Sequence, residues 1–169
     1  MTLDAPPSET IWYFSYGSNM HREIFASRRA MRPLATCCGH LENYRLCFNL
    51  PIGKGERGVA NVEPETGARV CGVLYLLPPA EFDRLDRTEG VHFGAYDRIP
   101  VEVVTAGGER VGAFTYRSGR TREGRKPSPR YMGLLLDGAR QHGLPAEYVG
   151  FLESFELARD ERVKKGETR

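Results

Sequence analysis

Six segments with the β-branched and aromatic content of strands precede residue 118, and only helical segments follow it. They are IWYFSY (11 to 16), YRLCFNL (44 to 50), GVANVEP (58 to 64), RVCGVLYLL (69 to 77), YDRIPVEVVT (96 to 105) and RVGAFTYR (110 to 117). Two short helical stretches, MHREIFASRRA (20 to 30) and PAEFDRLDRTEG (79 to 90), interrupt the series, and AGGE between the last two strands is a hairpin turn. A doubly wound fold would alternate strand and helix throughout. This order instead predicts an α+β protein: a small mixed, barrel-like β-sheet with flanking helices. The closing helices carry their own punctuation. Ser128 is an N-cap, Pro129 the first helical residue, Gly143 a C-terminal stop and Pro145 a breaker. Beyond it Tyr148, Phe151, Leu152 and Phe155 recur at helical spacing.

With 169 residues the chain has the length of one domain. The expected division is a Pro-rich tail over 1–10, a single domain over 11–158 and a charged tail over 159–169. No apolar run approaches the roughly 20 residues needed to span a bilayer, and MTLDAPPSET lacks the apolar core of a signal peptide. Lys plus Arg number 24 against 22 for Asp plus Glu, so no overall field argues for nucleic acid or a membrane as partner. The basic run RSGRTREGRKPSPR (117 to 130) is read as a solvated loop. Four cysteines without a CxxC pair predict reduced thiols and a cytoplasmic protein. CCGHLE (37 to 42) gathers ligand-type residues, but structural zinc needs a second knuckle, so no metal is expected.

Chemistry can sit in two places. In WYFSYGSNMHREIF a strand breaks on Gly17, Ser18 and Asn19 and turns into a helix, which aims unpaired backbone N–H groups at a point where an anion would be welcome. An ordinary capped helix fits the same residues. Positive φ at Gly17 is the expectation if the loop is tight. The second place is the end of EFDRLDRTEG. Phe82, Leu85 and Glu89 fall at i, i+3 and i+7, so Glu89 shares the face of two core residues. Burial and the negative helix end both oppose its ionisation, which suits a general acid/base. Pairing with an arginine, or a turn out to solvent, is the alternative. The four histidines are scattered and no GxSxG is present, so a protein nucleophile is not expected.

Three motifs taken together, YGSNM (16 to 20), DRTEGVHFGAY (86 to 96) and KPSPRYMGLLLDGARQHGLP (126 to 145), resemble the γ-glutamylcyclotransferase family in order and spacing. The resemblance runs from about residue 12 to about residue 152. It implies a small mixed barrel and an enzyme that needs no cofactor. The implied reaction is attack of the α-amino group of a γ-glutamyl compound on its own γ-carbonyl, which releases 5-oxoproline and a free amine or amino acid. By motif, Glu89 takes the place of the acid/base, Tyr16, Gly17, Ser18 and Asn19 form the loop holding the glutamyl group, and Tyr96 and Tyr131 contact substrate.

The resemblance leaves the leaving group open, since relatives of this fold act on dipeptides, on amines including lysine conjugates, and on protected biosynthetic intermediates. Phe93 and the basic stretch 117 to 126 are not part of the family pattern. Two other readings stay open: a binding module without turnover, and an amidohydrolase in which Glu89 activates water. The apolar face of the last helix would suit a homodimer.

Overall fold

The computed structural model describes residues 9–161. The tails expected over 1–10 and 159–169 therefore lie largely outside the described residues. Five strands close into a barrel in the order β1-β3-β2-β4-β5. They are β1 (Ile11–Ser15), β2 (Ala35–Pro51), β3 (Gly58–Leu77), β4 (Asp97–Thr105) and β5 (Arg110–Arg117). Four of the five pairings are antiparallel, and the barrel closes where β1 meets β5 in parallel at Tyr13 and Phe114. The buried Thr115 hydroxyl reinforces that closure by donating to the Phe14 carbonyl at 2.7 Å.

The sheet is a mixed barrel as expected, but its longest strands are longer than the sequence suggests. GVANVEP and RVCGVLYLL are two halves of one strand, β3, and CCGHLE belongs to β2. Gly39, His40, Glu42 and Asn43 dilute the strand signal there, because pairing along a 20-residue partner sets the conformation and local propensity does not. The register slips between Glu42 and Tyr44, where Asn43 takes φ +63° and its side-chain oxygen accepts from Gly67 N–H at 3.0 Å. Such a bulge bends a long ribbon so that one end can wrap onto the barrel. Gly72 serves closure differently: a Cβ there would sit 2.3 Å from the Ser15 carbonyl oxygen. A side chain at that point would push β1 off β3.

Helix α1 (Pro79–Thr88) packs across the barrel by Phe82 and Leu85, both fully buried. Each contributes about 2–3 kcal/mol by leaving water. In α2 (Pro129–Gln141) the Ser128 side chain accepts from Tyr131 N–H at 3.1 Å, and Gly143 takes φ +69° beyond its end. Helix α3 (Ala146–Glu153) buries Tyr148 and Leu152 and leaves Phe151 exposed. The segment after β1 departs from a regular helix. A 3-10 turn (Ser18–Met20) leads into a π-helix (Glu23–Arg28) whose wide winding is closed by Arg29 N–H donating to the Ile24 carbonyl at 2.9 Å.

Among the described residues no helix is long and apolar enough to cross a membrane, and no three His, Cys, Asp or Glu side chains converge as metal ligands would.

Candidate active site

Four elements deliver side chains to one cleft at the open end of β1. The chain leaving β1 brings Tyr16, Gly17, Ser18 and Asn19, the end of α1 brings Glu89, the approach to β4 brings Tyr96, and the first turn of α2 brings Tyr131. All seven residues expected from the sequence line this cleft, together with Tyr13, Ala60 and Tyr116. The cleft encloses about 50 Å³, room for reacting atoms but not for a dipeptide. Beside it lies a second cavity of about 320 Å³ that shares Ser18 and Tyr131 and is walled by Arg28, Arg29, Arg57 and Arg130.

Glu89 occupies the position after α1 that its spacing predicts. Its N–H closes the last helical turn on Leu85 O at 2.8 Å, and Gly90, at φ +72°, turns the chain away. The carboxylate accepts from Asn19 Nδ2 at 2.9 Å. Burial pushes its pKa above the ordinary carboxylate range; the Asn19 hydrogen bond and the Arg29 guanidinium pull it back, and Asp86, one turn earlier, pushes it up again. The arginine pairing weighed for Glu89 goes instead to Asp86, which holds Arg98 at 2.9 Å and accepts from Tyr116 OH at 2.6 Å. Arg98 in turn lies over the Phe82 ring, 3.7 Å from its centroid.

Gly17 corrects one expectation. Its φ is −117°, so positive φ is not what the position demands. The constraint is space, because a Cβ would stand 3.3 Å from the Tyr131 hydroxyl and 3.4 Å from Ala60 Cβ. Nor does the loop head a regular α-helix. Its N–H groups begin a single 3-10 turn without a side-chain cap.

The tyrosines have opposite hydrogen-bonding polarity. Tyr96 OH donates to Ala60 O at 2.9 Å, Tyr16 OH donates to Tyr116 O, and the Tyr116 proton goes to Asp86. Tyr131 instead accepts, from Ala60 N–H at 3.1 Å and from the Ser18 backbone, which leaves its own proton to give. Burial raises the pKa of Tyr13, Tyr16, Tyr96, Tyr116 and Tyr131, so all five stay protonated near neutrality. Tyr13 and Tyr116 are absent from the sequence expectation because the strand reading accounts for them as sheet aromatics. The available signal was a hydroxyl at a buried strand position, which needs a polar partner.

Comparison with known proteins identifies relatives of the whole chain. Residues 69–152 match the AIG2-like family. The chain is 30% identical to human gamma-glutamylcyclotransferase across 98% of its own length and 94% of that protein's. It is 32% identical to the Bos taurus gamma-glutamylcyclotransferase across 91% of its length and 83% of that protein's. A solved gamma-glutamyl cyclotransferase structure superposes with a TM-score of 0.84 at 28% identity, covering 94% of this chain and 95% of the other. At that identity over nearly the full length of both chains, this protein belongs to the gamma-glutamylcyclotransferase family of enzymes.

Proposed function

We propose that this protein cyclises a γ-glutamyl amino acid or amine to 5-oxoproline and that Glu89 moves the proton. The observation carrying the proposal is a buried carboxylate, held by Asn19, at the base of a cleft lined by protonated tyrosines. An α-ammonium cannot attack until it loses a proton. A carboxylate whose pKa is raised by burial can take that proton and return it. The amine nitrogen then bonds to the γ-carbonyl carbon and the carbonyl oxygen takes up the electron pair; collapse expels the leaving nitrogen, which takes the proton from Glu89, and the ring nitrogen gives its second proton to the freed carboxylate, from which it passes to the released amine. The reacting groups belong to one molecule, so orientation replaces a protein nucleophile.

Hydrogen-bond polarity orients the substrate in this scheme. Tyr96 has given its proton away and can only accept, which suits the substrate ammonium beside Glu89. Tyr131 can only donate, which suits the oxygen that becomes negative. The Gly17–Ser18 backbone holds the glutamyl carboxylate, and the leaving group extends past Ser18 and Tyr131 into the arginine-walled cavity, toward Arg28 and Arg130 and away from Arg29, which is spent on Asn19. The cytoplasm is the proposed compartment, on the four free thiols, and a homodimer over α3, on the exposed Phe151, is the proposed assembly. Sedimentation at the monomer mass would remove the latter.

Turnover of γ-glutamyl-alanine in ¹⁸O-labelled water tests the chemistry. Cyclisation gives unlabelled 5-oxoproline and alanine. Labelled glutamate would mean that Glu89 activates water, and no turnover of any γ-glutamyl compound would leave a binding module. γ-Glutamyl-ethylamide, which is the alanine compound without its carboxylate, reports on the arginine-walled cavity: weaker binding of the ethylamide is expected.

A further inference from the structure

Asn19 is 5% exposed, and its side chain spends its hydrogen bonds in three directions. The amide nitrogen donates to Tyr13 OH at 3.0 Å and to Glu89 Oε1 at 2.9 Å. The amide oxygen accepts from Arg29 Nε at 3.3 Å. A side-chain amide is nearly symmetric in shape, so a half-turn would exchange its oxygen and nitrogen at little steric cost. After that half-turn the oxygen would face the Glu89 carboxylate and the NH₂ group would face a guanidinium N–H. Both contacts would be repulsive.

The two partners that set the orientation differ over a catalytic cycle. Glu89 accepts from Asn19 while it is a carboxylate, but once it carries a proton it can donate to an amide oxygen equally well. At that moment Glu89 no longer distinguishes the two orientations. Arg29 is a donor throughout, because a guanidinium does not lose its charge. The sequence hides the link, since a regular α-helix from residue 20 would not place residue 29 in this way. The π-helical winding Glu23–Arg28 carries Arg29 back to a residue ten positions earlier.

We infer that Arg29 is a positioning residue for the reaction: it clamps the Asn19 amide through the whole proton-transfer cycle and so holds Glu89 in one place. This rests on Glu89 as the proton carrier. Other groups face the carboxylate from every side. Tyr13 and Tyr16 do so from β1 and the turn after it, Asp86 from α1, Tyr96 from before β4, Tyr116 from β5 and Tyr131 from α2. The tyrosines are neutral near pH 7 and Asp86 is engaged by Arg98, which leaves Arg29 as the cation acting on Glu89.

The test is a double-mutant cycle in the γ-glutamyl-alanine assay, with Arg29→Ala and Asn19→Ala alone and combined, and with Arg29→Lys and Arg29→Gln as controls. Arg29→Ala is expected to lower kcat about tenfold with KM within about twofold, the loss of one charge-assisted hydrogen bond. The acid limb of kcat/KM should move to higher pH, and Arg29→Lys should recover most of the rate. With Asn19 already replaced by Ala, removing Arg29 should change kcat less than about twofold. Losses that multiply in the double variant, or a loss confined to KM, would overturn the clamp in favour of direct substrate contact. If Arg29→Ala folds poorly, Arg29→Met, which keeps the side-chain bulk without a donor or a charge, carries the same comparison, and Arg29→Gln, which keeps a donor without charge, should recover part of the rate. Glu89→Gln in the same assay separates the two claims. Its full activity would remove Glu89 as proton carrier, whereas its loss beside unaffected Arg29 variants would remove only the clamp.

Discussion

Two regions of this molecule concentrate polar side chains, the cleft around Glu89 and the arginine-rich run from Arg117 to Lys126, and they use them in opposite ways. In the cleft, groups from four elements turn toward one small space, and several keep bonding capacity unspent. In the basic run Arg117, Arg120, Arg125 and Lys126 are each drawn to separate acceptors. Arg117 pairs with Glu63 at 2.6 Å, Arg120 donates to Phe93 O at 2.6 Å, and Lys126 meets Glu156 at 3.0 Å. Arg125 laces the carbonyls of Ile52, Gly53 and Arg57 between 3.0 and 3.3 Å. The run is thus more ordered than a solvated loop, yet it gathers no shared target. Convergence with spare valence marks a site, and charge density by itself does not.

The contrast can be broken at either end. Gly17→Val should lower kcat/KM by about 10²-fold or more, because the new side chain meets the Tyr131 hydroxyl and Ala60 and misplaces a reacting group by about 1 Å. Full activity would show that the loop tolerates bulk and does not grip substrate. Glu89→Gln should raise thermal stability while lowering turnover about 10³-fold. Burial raises the folded-state pKa of Glu89, so the folded protein binds a proton more tightly than the unfolded chain, and the stability from this group falls as pH rises from the ordinary carboxylate value to the folded one. The gain in Tm should therefore be present at neutral pH, about 2 °C or more, and vanish in acid. A gain that persists unchanged in acid would mean the charge is not the cause.

Arg125→Ala should lower stability by about 1 kcal/mol, through loss of its carbonyl contacts, and leave kcat/KM within about twofold. A large loss of activity would make the basic run part of the site after all. Ser18→Ala sits at the small end, since the loop binds through backbone donors: a rise in KM of about twofold to fivefold with unchanged Tm, checked by steady-state kinetics and a melting curve. An unchanged KM would free Ser18 Oγ from any role.

Much of the cleft was legible because local pattern and final position coincide. Glu89 stands on the stripe of Phe82 and Leu85, and that stripe is core. Tyr96 and Tyr131 stand in motifs whose order the resemblance supplied. What the sequence hid depends on long-range pairing. Tyr13 and Tyr116 reach the cleft only because β1 and β5 close the barrel, an event between residues about a hundred positions apart. Arg29 depends on a π-helix, which has no propensity signal. Gly17 looked like a positive-φ residue and proved to be a matter of clearance, since only the packed structure shows what stands opposite. The strand from Ala35 was masked by its glycine, histidine and asparagine, and its long partner decides its conformation.

The central claim is that one buried carboxylate carries the proton, and the pH dependence of kcat/KM for γ-glutamyl-alanine tests it most directly. Measured from about pH 4 to about pH 9, the wild-type profile should fall tenfold per unit on the acid side, from an apparent pKa above the ordinary carboxylate value of about 4.3. Glu89→Gln should lose about 10³-fold and keep no acid limb. An acid limb of the same position and slope in Glu89→Gln would contradict the claim, because the titrating group would then lie elsewhere.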